Sequence, residues 1–299
     1  MKFKKIVSID YTGIDEFVHE KLKSLCNTLE IYNDFPKSEA EIIKRAKNAD
    51  VLLVSWNTPI TANIIKNLPT LKYIGMCCSL YDEKSSNVDI IQAKKQGIIV
   101  KGVKHYGDDG VVEYFYSELI RLFKGLGNVQ FKEEQIELSG INLGIIGLGT
   151  LGKMIADAGN FFSMNIYYHN RNKRNDVDYK YLSIDVLLKT CDVITTHLPR
   201  NTVVIGDKEF SEFGNGKILV NTGLSPSFEL RAFDKWIKCK GNFALFDISS
   251  TTEEFRTKYK DYPNVIISNT VSGFTKNARE RLAHKVIYNL ENVIKSISD

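Results

Sequence analysis

Short runs of β-branched and other apolar residues recur along this chain, at 51–54, 71–74, 98–100, 143–146, 165–168, 193–196, 218–220, 243–246 and 265–267. Each carries apolar residues on both faces, as buried parallel strands do. Residues 1–10 read as a further strand at the start of the chain, too soon broken by Asp10 to act as a signal peptide. Between the runs lie amphipathic stretches suited to helices, at 39–49, 111–124, 153–161 and 228–238, the last behind a Ser225-Pro226 start signal. Strands that alternate with helices need crossover connections, which give parallel sheets with helices on both faces. The fold class expected is therefore α/β, two Rossmann-like parallel-sheet domains with a cleft between them. The apolar stripe at 111–124 is too wide for a surface helix and reads as a buried or interdomain helix. The resulting division is 1–104 plus 276–299 for one domain and 105–275 for the other.

Composition narrows the function classes. With 299 residues, 43% hydrophobic and 25% charged, the chain has the make-up of ordinary globular domains with real cores. A net charge of +4 is too small to point to nucleic acid, and no apolar run approaches the roughly 18 residues of a membrane span. The five cysteines, at 26, 77, 78, 191 and 239, form neither a C-x-x-C pair nor a metal spacing. The expectation is a cytoplasmic protein with reduced thiols, no metal, no nucleic acid and no membrane, acting on a small molecule.

One motif carries chemistry. Gly147-Leu148-Gly149-Thr150-Leu151-Gly152 follows a strand pattern and opens a helical one, the context in which G-x-G-x-x-G binds a dinucleotide. Gly147 allows the tight turn, Gly149 lets backbone approach a pyrophosphate, and Gly152 packs helix on strand. The Thr150 and Leu151 amides would meet the anion. A site for NAD places an acid about 20 residues on, to accept from the ribose 2′-hydroxyl. Here Asn170 is followed by Arg171, Lys173 and Arg174, with no acid between 167 and 174. An arginine can grip a 2′-phosphate bidentately, so Asn170, Arg171 and Arg174 favour NADP(H) over NAD(H). The bland reading of the same run is a solvated basic loop.

Taken together, residues 54–60, 71–75, 106–113, 147–152, 191–199, 218–222 and Asp247 resemble the D-isomer-specific 2-hydroxyacid dehydrogenases, over nearly the whole chain. The resemblance implies a bilobal protein with its active site in the interdomain cleft and a homodimer built through the cofactor domain. It also implies that His197, Leu198, Pro199, Thr222, Gly223 and Asp247 line the cofactor. The family's working residues are an Arg that holds the substrate carboxylate, a Glu that orients a His, and the His itself as proton donor. The matching positions here are Leu224, Thr252 and Thr270, so the chain resembles a divergent member lacking all three. The family's glycine cradle for the carboxylate corresponds to Cys78-Ser79-Leu80, where Leu80 would resist glycine-only backbone angles.

Three functional readings remain open. The first is an NADPH-dependent reductase of an imine, a pterin-like molecule or another conjugated acceptor, because a C=N bond already protonated needs no strong acid at position 270. Its candidate cleft residues are Thr270, His105 and Tyr106 near the chemistry and Trp56, Cys78, Tyr81 and Phe274 near the substrate. The second is a non-catalytic NADP(H)-binding sensor or scaffold. The third retains 2-hydroxyacid dehydrogenation with stand-ins such as His197 or Glu253.

Overall fold

Twelve strands, β1 to β12, pair in two parallel sheets of the computed structural model, which describes residues 2–298. The chain divides into a first unit, Met1–Tyr106 with Lys276–Asp299, and a second, Gly107–Thr275.

In the first unit β1 (Phe3–Ser8), β2 (Cys26–Ile31), β3 (Val51–Val54), β4 (Tyr73–Met76) and β5 (Ile99–Lys101) form a five-stranded sheet in the order β2-β1-β3-β4-β5. The strand order reverses between β1 and β3, which pair directly. Val7, Leu52, Val54, Ile74 and Met76 join one buried cluster with Ile64, Ile65 and Ala93 of the crossover helices. The helix Asp15–Leu25 packs against the final helix, Lys276–Ser298.

In the second unit β6 (Asn142–Ile146), β7 (Asn165–His169), β8 (Lys180–Tyr181), β9 (Val193–Thr196), β10 (Ile218–Asn221), β11 (Phe243–Phe246) and β12 (Val265–Ile267) follow the order β12-β11-β10-β9-β6-β7-β8. The alternation of side chains along each strand sorts the core into two faces. Leu143, Ile145, Val193, Val220 and Leu245 join one cluster, with Phe115 and Leu119 of helix Asp108–Lys124 and Ile155 of helix Thr150–Phe161. Ile146, Ile194, Leu219 and Phe246 join the other, with Leu187, Phe210, Phe233 and Phe255 from four further helices. Both faces are thus covered, as consecutive apolar runs require.

Several boundaries differ from the pattern in the sequence, each for a local reason. The helix expected at 228–238 starts at Leu230, because Phe228 is drawn into a bridge with Ile205 and Glu229 takes the cap position. The helix expected from 39 to 49 stops at Arg45, with Asn48 in a left-handed conformation at φ 61°. The helix expected at 111–124 gains a first turn, Asp108 and Asp109 facing its amino-terminal dipole, and ends on Gly125 at φ 62°. That helix is buried in the second unit's core, which accounts for its wide stripe. Strands β2 and β8 carry no doubly apolar run because both lie at sheet edges, β2 exposing Asn27 and Thr28. No helix among the described residues is long and apolar enough to cross a membrane.

Candidate functional site

In a parallel α/β sheet, ligands gather at the carboxyl ends of strands where the strand order reverses. In the second unit that point lies between β6 and β9. The Gly-rich turn leaves β6 there, and His197 follows β9 with its amide donating to the Ile146 carbonyl at 2.8 Å.

The three glycines differ in what requires them. At Gly147, φ is +98° and a Cβ would lie 2.3 Å from the His197 carbonyl oxygen. At Gly152 a Cβ would lie 2.4 Å from the Gly147 carbonyl oxygen. Both are demanded by the turn itself. A Cβ on Gly149 would meet nothing within 4 Å. The chain leaves that space open above the helix Thr150–Phe161, whose first backbone bond runs from Lys153 to the Gly149 carbonyl at 3.0 Å. The Thr150 and Leu151 amides precede the helical ladder, and no acidic side chain occupies the helix's first turn. Open space, unladdered amides and a helix start without its own anion fit a pyrophosphate.

A second fitting feature lies two strands away. Thr222 follows β10, and its hydroxyl is buried with no hydrogen-bond partner among the described residues. An orphaned hydroxyl of this kind costs about 1–3 kcal/mol, so a ligand atom that met it would recover that loss. Its neighbour Asn221 is fully used, accepting from Thr196 Oγ1 at 2.7 Å and donating to the Ser225 carbonyl at 3.1 Å, which fixes the loop bearing Gly223 and Leu224. Leu198 and Pro199 continue from His197 at the same edge. Desolvation pushes the His197 imidazole down to about 4, although the residue as a whole is half-buried, and Nε2 lies 3.1 Å from Thr195 Oγ1.

Asp247, at the end of β11, is differently occupied. Its carboxylate accepts from Ser249 Oγ at 2.8 Å, Ser250 N at 3.0 Å, Ser272 N at 3.0 Å and Ser272 Oγ at 2.6 Å. A carboxylate has about four acceptor sites, so all of Asp247 is committed to holding the 247–250 turn against the 272 loop. Thr252 caps the helix Glu253–Tyr259, accepting from Phe255 N at 3.2 Å. Thr270 is exposed, its hydroxyl 3.5 Å from Ser268 Oγ, and Phe274 lies four residues on, half-buried.

At the ribose end of the turn, residues that the spacing set side by side take separate tasks. Asn170 Oδ1 accepts from Leu148 N at 2.7 Å. Arg174 donates from Nη1 to the Leu148 carbonyl at 2.9 Å and pairs with Asp176, Nε to Oδ1, at 2.9 Å. Arg171 is exposed and, among the described residues, takes part in no hydrogen bond or ion pair. Asp176 lies beyond the window in which an acid is sought, and its spacing of two from Arg174 is the one sign of it in the sequence.

The first unit gathers its candidate residues at its own carboxyl edge. Trp56 follows β3 and Cys78 follows β4, and Cys78 Sγ lies 3.9 Å from Asn87 Oδ1. Asn87 donates to the Ser55 and Thr58 carbonyls at 2.9 and 2.6 Å, so the loop carrying Trp56 is held from that side. Leu80 is not among the residues with positive φ; the loop follows backbone angles open to any residue and removes the strain expected there. The Tyr81 ring has Lys104 Nζ at 5.0 Å. His105 stands at φ 56°, and the 104–106 segment is clamped by the last helix, with Lys285 Nζ on the Lys104 carbonyl at 2.7 Å and Arg281 Nε on the Tyr106 carbonyl at 2.8 Å.

A parallel sheet with a glycine-rich turn at its order reversal is the scaffold of a dinucleotide-dependent oxidoreductase. The chain belongs to the D-isomer specific 2-hydroxyacid dehydrogenases, whose catalytic-domain family model matches residues 11–298. Relatives include the glyoxylate reductase of Thermococcus litoralis, 25% identical over 290 residues that cover 88% of this chain and 86% of that one. The hydroxypyruvate reductase of Thermotoga maritima is 26% identical over 275 residues, 86% of this chain and 88% of its own. Among solved structures, an acyclic imino acid reductase in complex with NADPH and D-Arg superposes with a TM-score of 0.82 at 26% identity, over 98% of this chain and 97% of that one. The D-lactate dehydrogenase of Aquifex aeolicus complexed with NAD and lactic acid shares the fold at a TM-score of 0.79 and 24% identity, over 98% of this chain and 96% of its own.

Proposed function

We propose that the chain is an NADPH-dependent reductase whose substrate carries a C=N bond rather than a 2-keto acid, the second unit taking the cofactor and the first the substrate. The observation that carries this reading is the open space at Gly149 together with the buried Thr222 hydroxyl, unpartnered among the described residues; the resemblance, which puts a threonine at the family's proton-donor position, supports it. Gly147, Gly149, Thr150, Leu151 and Gly152 would hold the pyrophosphate, with Asn170, Arg171 and Arg174 near the 2′-phosphate and His197, Leu198, Pro199, Thr222 and Gly223 beside the ribose and nicotinamide.

When bound, NADPH supplies a hydride, and a C=N bond protonated on nitrogen becomes an amine as NADP⁺ leaves. Ketone reduction would need a positioned acid as well, an effect of about 10²–10⁴-fold. Thr270 has a hydroxyl that barely ionises, and Leu224 cannot pair with a carboxylate. His197 is a poor stand-in: burial lowers the pKa of its imidazole, so it is neutral at neutral pH and only a weak acid. An iminium brings its own proton, and the missing acid costs it nothing. The likeness to a structure described as an imino acid reductase with NADPH supports the same chemistry. A homodimer through the second unit and a cytoplasmic setting complete the reading on the strength of the family.

The test is NADPH oxidation with a panel of imines, dihydropterins and keto acids. Turnover of an imine formed from a keto acid and an amine is expected, with none for the keto acid alone. Brisk consumption of pyruvate or glyoxylate, undiminished in Thr270→Val, would overturn the reading in favour of retained hydroxyacid chemistry. Tight NADPH binding with no turnover of any substrate would make the chain a cofactor-binding protein instead.

A further inference from the structure

The three cations after β7 are not equivalent. Arg171 and Lys173 are exposed, whereas Arg174 is half-buried with its guanidinium already engaged. Its Nε and Nη2 meet the two oxygens of Asp176 at 2.9 and 2.5 Å, and Nη1 meets the Leu148 carbonyl at 2.9 Å. The backbone beneath is fixed too: Arg174 N donates to Tyr168 Oη at 3.0 Å, and that hydroxyl donates to the Arg174 carbonyl at 3.1 Å. The fork of Arg174 is therefore tied to the second residue of the glycine turn, while Asn170 holds the same residue's amide at 2.7 Å. An anion already sits on this guanidinium, and it is the chain's own.

A carboxylate and a phosphate offer a guanidinium the same pair of acceptor oxygens. Of the two partners Asp176 is the movable one, its side chain 69% exposed against 28% for Arg174. The hydrogen bonds from Arg174 hold the Asp176 carboxyl down at about 2, so it is ionised at any working pH.

We propose that Asp176 is a specificity-determining residue: its carboxylate occupies on Arg174 the anion position that the 2′-phosphate of NADPH takes, so that NADPH binds in competition with it. The inference rests on the reading of the β7 loop as the ribose end of an NADP(H) site. It follows that the charge of Arg174 is balanced without a 2′-phosphate, and that NADH meets a closed Arg174–Asp176 pair. It follows too that the preference for NADPH is smaller than three cations in a row suggest.

The test measures binding rather than turnover, using 2′,5′-ADP and 5′-ADP as probes, by calorimetry on wild type, Asp176→Asn, Asp176→Ser and Arg171→Ala. In both Asp176 variants 2′,5′-ADP should tighten about three- to tenfold, the effect of removing one exposed ion pair and a like charge, while 5′-ADP stays within about twofold. Weaker binding of 2′,5′-ADP, no change, or equal change for both probes would overturn the inference; the first would make Asp176 a support that merely orients Arg174. The NADP(H) reading fails separately, if wild type binds both probes equally and Arg171→Ala moves neither. Unchanged unfolding temperatures exclude a folding defect, as expected for so exposed a side chain.

Discussion

The carboxyl edges of the two sheets are built on the same plan and finished in opposite ways. In each, the strand order reverses beside the first strand of its unit, β1 against β3 and β6 against β9. In the second unit the edge leaves a clear space at Gly149, and the buried hydroxyl of Thr222 has no partner among the described residues. In the first the equivalent place is filled by Asp10, fully buried after β1. It accepts from Ser55 N at 2.9 Å and Ser55 Oγ at 2.6 Å and also from Thr58 Oγ1. The other orphaned hydroxyl among the described residues, Tyr73 Oη, belongs to the first residue of β4, whose ring lies along the strand beside Gly75. One topology thus provides two crevices, one with open space at Gly149 and the other closed by a side chain that holds the loop of Trp56.

If that contrast is right, the largest effect comes from unfastening the closed edge. Asp10→Ala leaves three buried donors without their acceptor, and urea unfolding should show a loss of about 3 kcal/mol, at about 1–3 kcal/mol for each unsatisfied group. A loss under about 0.5 kcal/mol would mean that the edge is not held by Asp10. The same carboxyl gives a pH signature. Burial raises it from 3.8, so the folded chain holds this proton more tightly than the unfolded one. Its contribution to stability is fullest below pH 3.8 and falls as pH rises through the higher folded-state value. Asp10→Asn should flatten that decline, measured as unfolding free energy against pH.

The open edge calls for the opposite outcome, binding lost with stability kept. Gly149→Ala places a methyl where the chain has no atom within 4 Å, on extended backbone that alanine adopts freely. The folded state should lose under about 1 kcal/mol, the scale of a weaker helix cap. The Kd for NADPH, followed by fluorescence titration, should rise at least about tenfold, or 1.4 kcal/mol. Unchanged affinity would show that the open space is not where the pyrophosphate lies.

The contrast also marks how far sequence reasoning reaches. The two parallel sheets are legible because doubly buried strands must be apolar at consecutive positions, as Val51–Val54 and Phe243–Phe246 are. The turn at Gly147 is legible because its positive φ and close approach to His197 admit glycine alone. Edge strands such as β8 are not, since water satisfies one side and relaxes the pattern. Nor are contacts made by chain reversal. That Asp10 meets Ser55, 45 residues on, depends on β1 and β3 pairing in a particular register. That Arg174 meets Asp176 and Leu148 depends on the fold of the loop from 170 to 176, and neither periodicity nor residue type encodes that bend.

The smallest effect, and the sharpest in sign, is expected at Thr222. Valine has the same shape without the hydroxyl, so Thr222→Val removes a buried polar group that the free chain leaves unsatisfied. The unliganded protein should keep its stability or gain up to about 1 kcal/mol, because no hydrogen bond is lost and a desolvation cost is relieved. Cofactor affinity should move the other way and weaken about two- to tenfold, the worth of one neutral hydrogen bond. Opposite signs on the two axes, read by thermal unfolding and by titration of the same samples, are what a hydroxyl kept for a ligand must give. Destabilisation of the free chain would mean that Thr222 already has a partner in solution, and the second edge would then be as closed as the first.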